Sequence, residues 1–327
     1  MKTLVTGGGG FLGRYIVEQL LAQGDTVTVF SRGVYPELEA LGAQVMRGSL
    51  QDAAAVQKAC TGMDAVFHVA AKAGLWGPWD EYYAINVTGT ENVITACQKQ
   101  GVPKLINTSS PSVIFDGCSQ EGVNEDIPYP ERYESPYPHT KALAEQSVTQ
   151  ANGKSLLTVS LRPHLIIGPR DNHLLPGLLA AARARRLPQV GDGSNRVDLT
   201  WVEDAARAHL LAAEALKPGS PVAGGIYFIT QGEPVTLWTW IRALLRDLNL
   251  PEPRLRLSLP VARMLGSVLE SAHRSLKLPG EPRMTRFLAS ELAQSHTYDI
   301  SRARRDFGYH PQISMTEARI RLIAAQF

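Results

Sequence analysis

Tyr137-Pro138-His139-Thr140-Lys141 is a Tyr-x-x-x-Lys spacing. On a helix, residues four apart share a face, so the phenol and the ammonium would lie side by side. The cation would favour the phenolate and lower the phenol from its usual value of about 10. A tyrosine tuned in that way exchanges a proton with a substrate oxygen at neutral pH. Upstream, Leu105–Thr108 reads as a strand that ends in Thr108-Ser109-Ser110-Pro111-Ser112. A serine hydroxyl at a strand end can hydrogen-bond the same oxygen. The plainer alternatives are a surface tyrosine with a solvated lysine, and serines doing ordinary turn chemistry.

A second group sits at the start of the chain. Lys2–Thr6 is a strand-like run that meets Gly7-Gly8-Gly9-Gly10-Phe11-Leu12-Gly13, and an apolar-periodic helix follows from Phe11. Gly7 and Gly10 allow a tight turn with the backbone close to a pyrophosphate, and Gly13 lets the helix approach the strand. The helix N-terminus offers N–H groups and a positive dipole end to phosphates. A glycine-rich hairpin is the alternative, and the strand before and helix after argue against it. The second strand ends in Ser31-Arg32, where enzymes preferring NAD place an acid on the ribose. Serine tolerates a 2′-phosphate and arginine can fork onto it, so NADP(H) is expected over NAD(H).

These residues need a frame. Candidate strands are 26–30, 44–46, 65–68, 105–108 and 156–162, alternating with helical stretches at 11–23, 53–60, 82–100 and 140–152. That alternation predicts an α/β fold with a doubly wound parallel (Rossmann) sheet, whose ligands sit beyond the carboxyl ends of the strands. Residues 1–162 are expected to bind the dinucleotide. Residues 163–327 would form a smaller, interwoven and mainly substrate-binding domain, with some segments returning to the first. Its helical runs are 176–187, 202–216 and 237–248. A further helix starts at Pro260, with Val261, Met264, Leu265, Val268, Leu269, Ala272 and Leu276 at helical spacing. It reads as a core-facing helix, as a lid over an apolar substrate, or as a membrane-surface helix. The modest basic count of Arg263, His273, Arg274 and Lys277 weakens the last option.

The totals set outer limits. The 327 residues are 44% hydrophobic with a net charge of +2, which suggests neither nucleic acid nor an anionic membrane as a partner. Cys60, Cys97 and Cys118 are too few and too scattered for a disulfide frame or a zinc site, and fit a reducing compartment. The first strand begins at Lys2, so no leader is expected, and no uncharged run is long enough to span a bilayer. A cytoplasmic protein follows. The histidines lack ligand spacing, so no metal is expected. His68 reads as a packed strand-end residue and His139 as a helix-face residue.

Taken together, these motifs resemble the extended branch of the short-chain dehydrogenase/reductase superfamily along nearly the whole chain. Thr6-Gly7-x-x-Gly10-x-x-Gly13 is similar to its cofactor turn and His68-Val69-Ala70-Ala71 to the strand end beside the nicotinamide. Asn86-Val87-Thr88-Gly89-Thr90 resembles the helix motif that braces the site. Leu161-Arg162-Pro163 with Gly168-Pro169 resembles the segment under the nicotinamide. The resemblance implies that Ser110 orients a carbonyl, Tyr137 is the acid/base, and Lys141 holds the nicotinamide ribose and tunes Tyr137. Ser109 and Ser112 remain alternatives to Ser110. The implied cofactor contacts are Gly7, Gly10, Phe11, Leu12 and Gly13, then Ser31, Arg32, Ser49 and Leu50, and finally Ala70, Ala71, Lys72, Tyr137, Lys141 and Pro163. One departure is Ser49, where the branch usually has an acidic residue near the adenine.

Within the branch, Gly191-Asp192-Gly193-Ser194-Asn195 and Asp198-x-Thr200-x-Val202 resemble the 3β-hydroxysteroid dehydrogenase-like group. More narrowly, residues 71–77, 110–117, 162–165 and 278–282 are similar to bacterial reductases of 2-alkyl-3-oxoalkanoates in long-chain olefin biosynthesis. That likeness implies reduction of the 3-ketone of an apolar keto acid to the hydroxy acid. Two alkyl chains would need an apolar tunnel, for which 261–276, 284–292, Trp76, Trp79, Trp238 and Trp240 are candidates, and Lys72 is a candidate cation for the carboxylate. A 3β-hydroxysteroid or sterol dehydrogenase is the nearest alternative, followed by a nucleotide-sugar epimerase or dehydratase and then a non-catalytic redox sensor. The branch implies a homodimer through the helices carrying Asn86 and Tyr137, and association with pathway enzymes is an open option.

Overall fold

Short runs rich in Val, Ile, Leu and Phe that are apolar on both faces pair inside a molecule, with helices over each face. The computed structural model describes residues 1–325 and aligns six such runs and a more exposed edge strand in one sheet. They are β1 (Lys2–Thr6), β2 (Thr26–Ser31), β3 (Gln44–Arg47), β4 (Ala65–His68), β5 (Lys104–Thr108), β6 (Leu157–Pro163) and β7 (Ile226–Ile229). All six pairings are parallel, in the order β7-β6-β5-β4-β1-β2-β3. The expected doubly wound sheet is therefore present. The order reverses between β1 and β4, where Thr6 stands opposite His68. A crevice for a ligand forms at such a switch point.

Two local differences from the sequence expectation bear on the site. The helix expected from Thr140 starts at Pro136 and runs to Gln150. Pro136 and Pro138 read as breakers, but proline in a first turn forfeits only N–H groups that lack helical partners anyway. Tyr137 is thereby inside the helix with Lys141. The single helix expected over 82–100 is a short helix, Trp79–Tyr82, a π-helical turn, Tyr83–Thr88, and a regular helix, Gly89–Gln100.

The chain after Pro163 both leaves and re-enters the sheet. β7 pairs with β6, and the helix Val202–Ala215 lies on the first helix, Phe11–Ala22, where Gln19 Nε2 donates to the Glu203 carbonyl at 2.9 Å. The sheet core includes Val5, Ile16, Val29, Phe67, Ile106 and Val159. A separate apolar cluster is built around Ile167, Leu179, Trp201, Trp238, Leu244 and Leu322. Trp238 and Trp240 are buried in that cluster, which removes them as tunnel candidates: they are packing residues.

The helix expected from Pro260 spans Leu259–Leu276. It does not face the core with its apolar stripe. Ala262, Gly266 and Glu270 are buried, while Met264, Val268 and Leu276 are 65%, 60% and 69% exposed. A Cβ on Gly266 would stand 2.7 Å from the Thr285–Arg286 backbone, so the small side of the helix docks and the apolar side turns out. Polar contacts hold it that way. Glu270 accepts from Arg286 N at 2.7 Å and Nε at 2.9 Å, and Arg263 reaches Glu134 and Ser290, each at 2.6 Å.

Candidate active site

β5 and the Pro136–Gln150 helix bring the sequence-predicted triad together. Ser110 caps a 3₁₀ turn, Pro111–Ile114, with its oxygen accepting from Ser112 N at 3.2 Å. The Ser112 hydroxyl donates to the same oxygen at 3.0 Å. Both bonds are received, so the proton of Ser110 remains available, and this hydroxyl is near enough to the Tyr137 phenol to favour its ionised form. Ser109 Oγ, by contrast, is buried without a hydrogen-bond partner, and Ser109 N donates to Leu161 O at 2.6 Å. Of the three serines, only Ser110 bears on the ionisation of the tyrosine.

The expected tuning of Tyr137 by Lys141 is not what the geometry gives. Lys141 is buried, and its Nζ donates to the Thr108 carbonyl at 2.6 Å. Burial pushes its ammonium down to about 8, opposed by Glu145. The Tyr137 phenol is raised rather than lowered, first by burial, while Ser110 pulls it down and Glu291 pushes it up. The lysine cation is committed to a strand-end carbonyl, so desolvation dominates the phenol.

Behind the triad, a chain of hydrogen bonds fixes the strand ends. Thr90 Oγ1 donates to Asn86 O at 2.6 Å, so it must accept from His68 Nε2 at 2.9 Å. His68 Nδ1 is then the acceptor for Thr6 Oγ1 at 2.8 Å. Thr6 Oγ1 in turn accepts from Val69 N and Ala70 N at 3.2 and 3.3 Å. Burial drives the His68 imidazole down to about 3, so it stays neutral. Asn86, buried on the π-helical turn, accepts from Lys72 N at 2.7 Å and donates to Lys72 O at 3.1 Å and Thr140 Oγ1 at 3.0 Å. It therefore ties the segment after β4 to the helix of Tyr137. π turns recur at functional sites because they re-aim a side chain.

The glycine turn faces the same crevice. Gly7 has φ +71°, and a Cβ there would stand 2.8 Å from the Ala70 backbone, so the turn and the β4 end touch. A Cβ on Gly13 would clash with Gly7 O. Gly10 is the extended N-cap of the first helix, leaving the N–H groups around Phe11, Leu12 and Gly13 without helical acceptors. Ser31 is buried at the end of β2, and Arg32 beside it is exposed. Arg47 Nε donates to the Arg32 carbonyl at 3.4 Å. Ser49 accepts from Gln51 N at 3.3 Å, and Leu50 is packed against Gly89 with its carbonyl bonded by Asn92. Ala70 and Ala71 lie on the segment after β4, and Pro163 is buried at the end of β6.

Lys72 is not a free cation. Its Nζ pairs with Glu81 at 2.5 Å and lies over the Tyr82 ring. His139 is stacked on Tyr133 and lies against Trp79, as a helix-face residue would. Sequence reasoning missed Glu145. Buried with Arg162, it accepts from Nε at 2.9 Å and Nη2 at 2.6 Å, and from Tyr129 Oη at 2.7 Å, locking the tyrosine helix to β6. The signal available was its helical spacing, four residues after Lys141. It also missed Glu291, whose carboxyl lies 3.6 Å from His296 Nε2 and is raised by burial.

A profile of the 3-beta hydroxysteroid dehydrogenase/isomerase family matches residues 4–261. The 2-alkyl-3-oxoalkanoate reductase of Stenotrophomonas maltophilia is 48% identical over 327 residues, 99% of each chain. That of Shewanella oneidensis is 45% identical over 98% of this chain and 85% of its own. The sterol-4-alpha-carboxylate 3-dehydrogenase (decarboxylating) of Mus musculus is 36% identical over 97% of this chain and 88% of its own. Among solved structures, MoeE5 in complex with UDP-glucose and NAD superposes with a TM-score of 0.76 at 25% identity, covering 99% of this chain and 98% of that one. Near-full-length identity of this order, together with a profile spanning the sheet and its crevice, makes this chain a member of the 3-beta hydroxysteroid dehydrogenase/isomerase family.

Proposed function

We propose that the protein is an NADP(H)-dependent reductase that converts the 3-ketone of a long-chain 2-alkyl-3-oxoalkanoic acid into a 3-hydroxyl. The observation that carries this reading is Tyr137, its phenol acted on by Ser110, four residues before buried Lys141 on one helix, in a chain 48% identical to a reductase of that substrate. The donor set fits a dinucleotide: Gly7 and Gly13 form a cradle that a Cβ would fill. The first-turn N–H groups at Phe11, Leu12 and Gly13 would hold the pyrophosphate. Ser31 presents no carboxylate, and Arg32 carries no ion pair among the described residues, which suits a 2′-phosphate. Leu50, Ala70, Ala71, the Lys72 backbone, Lys141 and Pro163 would complete the contacts. When bound, the reduced dinucleotide supplies the hydride.

The chain's own residues do the rest. Ser110 donates its free proton to the ketone oxygen and fixes its position. Tyr137, held above its usual value, is protonated at neutral pH, so it acts as an acid and delivers its proton to that oxygen. A raised phenol suits the reductive direction, because a donor must arrive loaded. Lys141 anchors the strand end and the ribose side. Reduction also has a chemical purpose: a 3-oxo acid loses carbon dioxide readily, and a 3-hydroxy acid does not. We further propose that residues 163–327 mainly cover the substrate, supported by their separate apolar cluster.

Incubation with NADPH and, separately, a 2-alkyl-3-oxo acid, a 3-oxosteroid or a nucleotide sugar tests the reading. Cofactor oxidation with the first alone is expected, and oxidation with the steroid alone overturns it. A sterol dehydrogenase is the second reading, supported by the 36% identity to the mouse enzyme.

A further inference from the structure

His164 follows Pro163 at the carboxyl end of β6, where ligands of such sheets sit. It is 5% exposed, and its Nε2 lies 2.7 Å from Nδ1 of His296, on the short strand His296–Tyr298. The other nitrogen of His296, Nε2, is 2.9 Å from the Glu291 carbonyl. A carbonyl only accepts, so His296 Nε2 carries the proton, and in the uncharged pair its Nδ1 accepts. His164 Nε2 is then the donor. Nδ1 of His164 is left as a bare lone pair with no hydrogen-bond partner among the described residues. Buried polar atoms are ordinarily partnered, so a ligand group is expected there. The backbone is held in place and strained at this point. His164 N donates to Ile229 O at 3.1 Å, its carbonyl accepts from Thr200 Oγ1, and Leu165 has φ +38°. Positive φ at a bulky residue is costly and gathers at ligand sites.

The pair borders the reacting groups. His296 meets the Phe115 ring edge-on at 6.2 Å, and Phe115 ends the 3₁₀ turn that Ser110 caps. Phe115 meets Phe287 at 6.0 Å, forming an apolar wall. Glu291, on the helix Arg286–Ala293, acts on the Tyr137 phenol and lies 3.6 Å from His296 Nε2. In a 3-oxo acid the carboxyl group is one carbon removed from the ketone, so its partner must border the phenol. A carboxylate brought into such surroundings must be paired. The cations of this region are committed: Lys72 to Glu81, Arg263 to Glu134, Arg162 to Glu145, and Lys141 to the Thr108 carbonyl. The free nitrogen of His164 is not.

We propose that His164, backed by His296 and Glu291, receives the carboxyl group of the substrate. The assignment rests on the keto-acid reading of the site. Burial, and then His296, holds the empty His164 imidazole well below its usual value, so the ring is neutral. An arriving carboxylate reverses that balance. One proton from solvent goes onto Nδ1, and the resulting N–H donates to the carboxylate. Glu291, at the far end of the pair, stabilises the same positive charge. The other titratable groups facing the pair are Asp198, raised to about 6 by burial, and Tyr298, whose ring meets His164 edge-on at 5.0 Å. Glu134 acts on Glu291, and Arg196 on Asp198.

Calorimetry of the whole chain with NADP+ tests this without any reduction. The probe is 2-butyloctanoic acid, which has two chains and a carboxyl group but no ketone, against its methyl ester. The acid should bind at least about tenfold tighter than the ester. Titration in buffers of different ionisation enthalpy should show uptake of about one proton with the acid and none with the ester. His164→Leu should abolish the preference and leave ester affinity and circular dichroism unchanged. Equal binding of acid and ester, binding of neither, or no proton uptake overturns the proposal. So does a folded variant that keeps the preference or weakens both ligands alike. The acid-to-ester ratio and proton count of the unaltered chain decide the matter even where the variant does not fold. Acid-selective binding without ketone reduction would remove the reductase reading and leave the carboxyl site standing. Ketone reduction with equal KM for the keto acid and its ester would do the reverse.

Discussion

Lys141 Nζ donates to the carbonyl of Thr108 at 2.6 Å, so the cation hangs from the end of β5 and not on the phenol of Tyr137. Its ammonium is pushed down to about 8 from 10.5 by burial. Below pH 8 the folded protein carries the charge, and above it the charge is lost. A role that needs the cation should fade as pH rises through about 8. We expect kcat/KM to fall above that point and Lys141→Arg, which stays charged, to remove the limb if it retains activity. An activity flat to pH 10 would contradict this.

Tyr137→Phe removes the proton donor and leaves the ring. Turnover should fall about 10²–10⁴-fold with little change in KM. Ser110→Ala should cost about 10²-fold through the lost oxygen contact. Ser112→Ala loses only a bond to Ser110 and should cost far less. Equal losses at 110 and 112 would mean that the serine cluster acts as a unit.

Arg32→Asp should move cofactor preference. Loss of a charge-assisted contact plus repulsion of a 2′-phosphate predicts a KM for NADPH higher by roughly 10–100-fold, with NADH little affected. An unchanged NADPH/NADH ratio would remove Arg32 from the cofactor site.

The Glu145–Arg162 pair is buried on both sides, at 0% and 1% side-chain exposure. Arg162→Met strands the carboxylate and should cost about 3–5 kcal/mol, seen as a fall in Tm on the order of 10 °C. Adding Glu145→Leu should recover much of it. If the double variant is no better than the single one, the loss is packing and not charge.

How much of this was legible depends on distance in sequence. The glycine turn, the strand ends and the Tyr-x-x-x-Lys spacing are local patterns, readable before the fold is known. Contacts closed by tertiary packing were not legible. Nothing in the spacing of Tyr137 and Lys141 reveals that Thr108 O captures the ammonium. Pro136 and Pro138 masked the true helix start, because a breaker and a first-turn proline look alike in sequence. The stripe at Val261–Leu276 has the period of a buried helix, and only Gly266 against the Thr285–Arg286 backbone shows which side docks. Glu145 announces itself only once β6 brings Arg162 beside it.

The widened turn at Tyr83–Thr88 has one more consequence. It holds an extra residue relative to an ordinary helical coil, and Asn86 on that turn points at the Lys72 backbone. Shortening the segment between Pro78 and Gly89 by a single residue would rotate everything downstream by about 100° and swing the amide away. In this stretch chain length, more than side-chain identity, keeps the two halves of the crevice in register.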